Sequence, residues 1–159
     1  MIEILKFEYY MQDDIQNFVI YNMKKELNIK SEDTFFMITK DLNNIKENYI
    51  KNGGEFLIAY DNELGEIIGT IAMKFENKIP ILKRFYVLEN YRKKKIGFLL
   101  YKSLEEQIKL KNISEIYLVS GKELINAHKF YEKNGWKIEY NNPGIFVREG
   151  AYLYKKNLI

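Results

Sequence analysis

Asn90-Tyr91-Arg92-Lys93-Lys94-Lys95-Ile96-Gly97 sets four cations directly ahead of a stretch in which Ile96, Leu100, Leu104 and Ile108 recur at intervals of four. That spacing predicts an amphipathic helix over 96–111, whose first turn offers unpaired N–H groups and the positive end of the helix dipole. Cations crowded there cost about 0.3–1 kcal/mol each unless something neutralises them, whereas a bound phosphate makes the same geometry attractive. The pattern asks for a phosphate-bearing ligand; the alternative is a solvated turn in a chain that carries 25 Lys and Arg. Backbone N–H groups from Lys93 to Phe98 can converge on a pyrophosphate, with Gly97 admitting close approach and Lys95 held at negative φ with its side chain in solvent. A nucleoside triphosphate is disfavoured, because the chain has no Gly-x-x-x-x-Gly-Lys-Ser/Thr loop.

Composition narrows the setting. The 159 residues, 47% hydrophobic and 15% aromatic with two prolines, predict a single packed domain spanning 1–159. The absence of cysteine removes disulfides and thiolate chemistry, and His128 is the only histidine, so no metal is expected. A formal net charge of +3 and a pI near 8.8 fall short of the basic balance of nucleic-acid binders, pI above about 9. The opening residues mix acids with apolar side chains, and no later run approaches the roughly 20 apolar residues of a membrane span; a soluble, cytoplasmic protein is expected. Asp13, Asp14, Glu32, Asp33 and Asp41 gather in the first third, while 84–111 is basic, so one end of the molecule is expected to attract anions.

The elements that must position the cation run can be read from periodicity. Alternation predicts a strand over 2–7, and helical spacing predicts helices over 12–27 and over 41–51, the second closed by Gly53-Gly54. Three β-favouring runs, 55–60, 66–75 and 79–88, read as an antiparallel meander. The basic turn, the helix over 96–111 and a strand over 113–119 then complete a βαβ unit. Such a crossover is right-handed with parallel strands, which places the cations at the carboxyl end of the first strand, where ligands bind in open sheets. A helix over 124–134 stopped by Gly135, a strand over 136–140, the turn Asn141-Asn142-Pro143-Gly144 and a strand over 151–155 finish the chain.

The stretch 82–100 resembles the cofactor-binding motif of the GNAT superfamily of N-acetyltransferases. In that family a strand is followed by Arg or Gln, two residues, Gly, any residue, and Gly or Ala opening a helix. Here Arg92-Lys93-Lys94-Lys95-Ile96-Gly97 stands in that place, with Lys95 where the family usually has its first glycine. Leu82-Lys83-Arg84-Phe85-Tyr86-Val87 ahead of it has the family spacing, and Ala127-His128-Lys129-Phe130-Tyr131-Glu132-Lys133-Asn134-Gly135-Trp136 is similar to its fourth-helix signature. The resemblance implies an α/β (α+β) fold with a mixed, mostly antiparallel sheet whose central parallel strand pair is splayed at the cofactor site. It also implies acetyl-CoA as acyl donor: pyrophosphate at Arg92, Lys93, Lys94, Lys95, Ile96, Gly97 and Phe98, and pantetheine along Phe85, Tyr86 and Val87. Many relatives carry a contacting asparagine where this chain has Leu124; Asn126, two positions on, is the nearest candidate.

The implied reaction is direct attack of a primary amine on the thioester, with the amine belonging to a small molecule, a polyamine or a peptide. Tyr131 matches the thiolate acid of the family, and a phenol with an ordinary pKa near 10 is protonated at neutral pH and can donate. The usual basic glutamate is replaced by Ile81, leaving Glu139, Glu149 or a water chain as candidates, with His128 read as a packing or capping residue. Acids such as Asp33 and Asp41 hint at a cationic acceptor. Two other readings stay open: an acyl-CoA-binding protein without turnover, and a ribosome- or RNA-associated module using the cation cluster on phosphates. Relatives of this kind often form homodimers.

Overall fold

The computed structural model describes residues 1–159. Its strands are β1 Ile2–Lys6, β2 Glu55–Asp61, β3 Glu66–Glu76, β4 Ile79–Val87, β5 Glu115–Gly121, β6 Lys137–Ile138 and β7 Ala151–Asn157, and its α-helices are α1 Gln12–Glu26, α2 Glu32–Thr39, α3 Ile96–Leu110 and α4 Ile125–Lys133. The seven strands form one sheet in the order β1-β2-β3-β4-β5-β7-β6. Every neighbouring pair is antiparallel except β4 and β5. The mixed sheet with a single parallel pair agrees with the fold that the sequence predicts.

Alternation along β2 explains why helices cover both faces of the sheet. Leu57 and Ala59 turn toward α3, where they join Ile68, Ile71, Ile96, Leu100 and Leu104 in the larger core. Phe56 and Ile58 turn the other way and meet Ile15, Val19 and Met23 of α1. Ile96, Leu100, Leu104 and Ile108 are all buried, so the four-residue spacing is the stripe by which α3 docks. Each such side chain contributes about 1.5–3 kcal/mol relative to exposure, which fixes the helix's axis and, with it, the direction its first turn faces.

One predicted element changes character. The pattern over 41–51 is not a continuous α-helix: 3-10 turn Lys40–Asn43 ends at Asn44, whose backbone leaves helical space, and a π-turn occupies Lys46–Ile50. The α-helix of this region lies earlier, in α2, where the Ser31 hydroxyl accepts from the Thr34 N–H as an N-cap. The apolar periodicity of Leu42, Ile45 and Tyr49 is still used, because all three are buried against α1. A π-turn is a common device where a side chain must be re-aimed, and here it directs the Tyr49 hydroxyl onto the Asp41 carboxylate.

At the other end of the chain, α4 stops as Gly135 predicts. Gly135 takes φ +90°, its N–H reaches the Glu132 carbonyl, and the Trp136 N–H reaches the Tyr131 carbonyl at 3.0 Å. This is a Schellman closure, and its apolar contact is the stacking of Trp136 on Tyr131, ring centroids 5.9 Å apart. Trp136 Nε1 then donates to the Tyr101 hydroxyl, which also accepts from Lys156 Nζ at 2.8 Å. Lys156 in turn pairs with Glu105 of α3 at 2.8 Å. The network ties α3, α4 and β7 together. Burial would raise the Glu105 carboxyl, but hydrogen bonds from Lys156, then Tyr101 and Lys109, outweigh it and bring it to about 2.

Because the folded state holds Glu105 below its ordinary value, its contribution to stability is complete above about pH 4.5 and is lost as pH falls toward about 2. Denaturant titrations of Glu105→Gln should show lower stability than the parent at neutral pH, and a smaller further loss across that acid window. A parallel acid loss in both proteins would remove Glu105 from the account.

Candidate active site

The parallel strands β4 and β5 share one bridge, Ile81 to Tyr117, and no other. Beyond it they diverge, and a cleft of about 1660 Å³ opens between Leu82–Val87 on one side and Leu118–Gly121 on the other. On its far side β5 is paired along its whole length with β7, so the gap arises entirely on the β4 side. Residues from the end of α1, from α2 and from α4 close the cleft walls.

A β-bulge shapes the β4 wall. Thr70 pairs with Tyr86 and Ala72 pairs with Lys83, which leaves Arg84 and Phe85 opposite Ile71 alone. Arg84 takes the left-handed conformation, φ +57°, unusual for a residue with a side chain. Its surroundings over-determine it: the Thr70 hydroxyl donates to the Arg84 carbonyl at 2.8 Å, and the guanidinium donates to both oxygens of Asp41 and to the Ile38 carbonyl. Asp41 also accepts from Tyr49. Burial works against the Asp41 charge, yet the Arg84 hydrogen bonds prevail and hold its carboxyl below the usual range. Asp41 is thus committed to the bulge, and Asp33 lies outside the cleft lining, so neither is available to greet a cationic acceptor as their acidity in the sequence suggests.

The predicted anion end is built differently from its expectation in one respect. A 3-10 segment, Glu89–Lys94, leads to Lys95 at φ +62°, not negative φ. Lys95 is the N-cap of α3 and occupies the left-handed position that a glycine would enter without strain, which is why the family pattern favours glycine there. No side chain caps α3, so its first N–H groups have no side-chain acceptor. Gly97 lines the cleft, and a side chain there would meet Phe85 and Val87 at 3.6–3.7 Å, ordinary van der Waals contact. Phe85, Tyr86, Val87, Arg92 and Asn126 also line the cleft; Lys93, Lys94, Lys95 and Phe98 lie beyond its lining, and Ile96 is buried in the core. Arg92 Nε donates to the Val87 carbonyl at 3.0 Å, capping the end of β4.

Tyr131 reaches the cleft from α4, its ring wedged among Phe85, Phe130, Trp136 and Tyr154. Desolvation first, and then the negative charge of Glu26, hold its phenol well above the ordinary tyrosine range. Leu124 and Ile81 line the same cleft. His128 does not: its ring packs on Tyr152 and Tyr154, 5.5 and 5.4 Å away, and its Nε2 is buried without a partner. Glu139 and Glu149 are also outside the lining.

Comparison with known proteins decides the family. The model of the GNAT acetyltransferase family matches residues 18–136. The chain belongs to that family. An acetyltransferase of the GNAT family from Staphylococcus aureus has the same fold at TM-score 0.85, with 29% identity and full coverage of both chains. A PaiA N-acetyltransferase from Thermoplasma acidophilum in complex with coenzyme A superposes at TM-score 0.77, with 22% identity over 99% of each chain. A curated relative, spermidine N(1)-acetyltransferase of Thermoplasma acidophilum, is 36% identical over 87 residues, 54% of this chain and 53% of its own length. The match thus spans about half of the curated relative. No helix of this GNAT protein is long and apolar enough to cross a membrane.

Sequence reasoning missed one cleft residue, Glu26, the last residue of α1. Its signal was available: an acid at a helix C-terminus faces the negative end of the dipole, as misplaced as the cations ahead of α3.

The Asp41–Arg84 pair is nearly closed to water, with side chains 10% and 11% exposed. Asp41→Ala leaves the guanidinium buried without a counter-charge and should lower the unfolding free energy by about 3–5 kcal/mol, measured by denaturant titration. A change below about 1 kcal/mol, the range of an exposed pair, would show the pair to be solvated.

Proposed function

We propose that this GNAT-family protein transfers an acetyl group from acetyl-CoA to a primary amine of a small molecule, polyamine or peptide. The observation that carries the reading is the splayed parallel pair, a cleft with unpaired strand edges on both walls and the uncapped N-terminus of α3 at one end. The donor's anionic portion suits that end: the first N–H groups of α3 lack a side-chain acceptor, and Arg92, Lys93, Lys94 and Lys95 stand beside them without a salt bridge. Its pantetheine amides suit the edge of β4 near Phe85, Tyr86 and Val87, since main-chain pairing tolerates any side chain. The kinship with a spermidine N(1)-acetyltransferase supports a cationic amine as acceptor.

Bound acetyl-CoA supplies an activated acyl group and a thiolate leaving group. The chain's own residues orient and protonate. The two cleft walls hold donor and acceptor in one geometry, an effect worth about 7–11 kcal/mol when alignment is good. Tyr131 keeps its proton at every physiological pH because burial raises its phenol, and from α4 it can give that proton, or a hydrogen bond, to sulfur. The amine enters from the face lined by α1 and α2.

Calorimetry with acetyl-CoA, desulfo-CoA and ATP tests the donor: submillimolar binding of both CoA species and not of ATP is expected, and failure to bind acetyl-CoA refutes the reading. Tyr131→Phe should lower kcat by about a hundredfold with donor affinity unchanged. Undiminished turnover in that variant would remove the acid role.

A further inference from the structure

We infer that Glu26 is the base that accepts the proton of the acceptor ammonium, a role that no carboxylate on β4 can fill because Ile81 stands there. This rests on the acetyl-transfer reading and adds the residue that the reading leaves unassigned.

Elimination among the cleft's own carboxylates leads to it. Asp41 is held by Arg84 and Tyr49. Glu76 is paired with Lys83 at 2.5 Å. The Glu123 carboxylate folds back against Gly121, within 2.4 Å of where a side chain there would begin. Glu89, also without a salt bridge, heads the 3-10 segment that leads into Arg92–Lys95, at the end proposed for the pyrophosphate. Glu26 has neither a salt bridge nor a hydrogen-bonded side chain, and it shares the cleft wall with Tyr86 and Tyr131.

The groups that face Glu26 set its basicity. Arg92, from the 3-10 segment, favours the carboxylate; Tyr86 of β4 and Tyr131 of α4 are neutral, and the Asp41–Arg84 pair behind Tyr86 is internally compensated. Glu26 is an exposed residue of the cleft wall, yet partial desolvation there raises its carboxyl above its ordinary value, with Arg92 opposing. The negative end of the α1 dipole acts in the same direction as burial. The charge of Glu26 is felt by both phenols, which places it near the same part of the cleft as the proposed acid.

The step balances simply. One proton leaves the ammonium nitrogen for a Glu26 oxygen, which frees the nitrogen lone pair. Nitrogen then bonds to the acyl carbon as the carbon–sulfur bond breaks, Tyr131 gives its proton to the departing sulfur, the acylated nitrogen loses its second proton through water to restore the Tyr131 phenol, and Glu26 returns its own proton to water at the cleft mouth. An alkylammonium, pKa about 10.4, gives up its proton reluctantly. The transfer is helped because the raised carboxyl of Glu26 is the better base.

The test compares Glu26→Gln with the parent using two acceptors, an alkyl diamine and a weakly basic aromatic amine that is already neutral. Expected for the alkyl amine is a fall in kcat of about a hundredfold, with acetyl-CoA affinity by calorimetry unchanged and Glu26→Asp partly active. For the neutral amine the fall should shrink to a few-fold, because no proton has to be removed first. An equal loss with both acceptors, a rise in KM alone, or no change would each overturn the assignment. A parent protein that binds acetyl-CoA but acetylates neither amine would overturn the transfer reading itself, and the Glu26 role with it.

Discussion

The parallel contact between β4 and β5 is the constraint on which the rest of the molecule depends. Two parallel strands joined at one bridge, Ile81 to Tyr117, expose main-chain donors and acceptors that a sheet would ordinarily satisfy. Such groups are stable only if water or another partner reaches them, so the divergence makes a cleft with polar walls by necessity. Everything around it keeps the strands from closing. β5 is held by its full pairing to β7, and β4 is held by its pairing to β3, so neither can relax toward the other without losing a ladder.

The bulge in β4 adds a second restraint, and it is electrostatic. An extra residue in a strand twists it locally, and Arg84 accepts a left-handed backbone to make that twist. The cost of that conformation, about 1–3 kcal/mol, is offset by four protein partners of its guanidinium and carbonyl: Asp41, Ile38, Met23 and Thr70. The 3-10 and π-turns of the 40–50 region follow from the same demand. They bring Asp41 and Tyr49 to the guanidinium, which a regular helix over 41–51 would not do. A buried ion pair is thereby used for position, and its contribution to stability is the consequence of removing either partner from an otherwise compensated site.

The strands, the amphipathic stripe of α3 and the glycine stop of α4 were legible in the sequence because each is a local pattern: alternation, four-residue spacing, a left-handed cap. The family was legible for the same reason, through Arg92–Gly97 and the segment around Tyr131. What was not legible was long-range. The residues 41–51 have helical periodicity, and only the distant Arg84 explains why the backbone departs from it. The positive φ of Lys95 was signalled only by the glycine that the family usually has there, because the lysine itself disfavours it. Glu26 could be recognised only once α1, β4 and α4 were brought to a common cleft.

Under the proposed roles of Glu26 as base and Tyr131 as acid, charge in that cleft couples the two proton carriers. While Glu26 is ionised, its field adds to burial in holding the Tyr131 phenol high, so the phenol keeps its proton. When Glu26 takes a proton from the acceptor, that field disappears, and the phenol becomes a stronger acid by whatever share the carboxylate had contributed. Arg92 favours the ionised carboxylate. Proton uptake on the amine side therefore prepares proton release on the sulfur side, without any movement of the backbone. The order of events follows from the signs of the charges: activation of the nucleophile comes first, and only then is the leaving group's donor at its strongest.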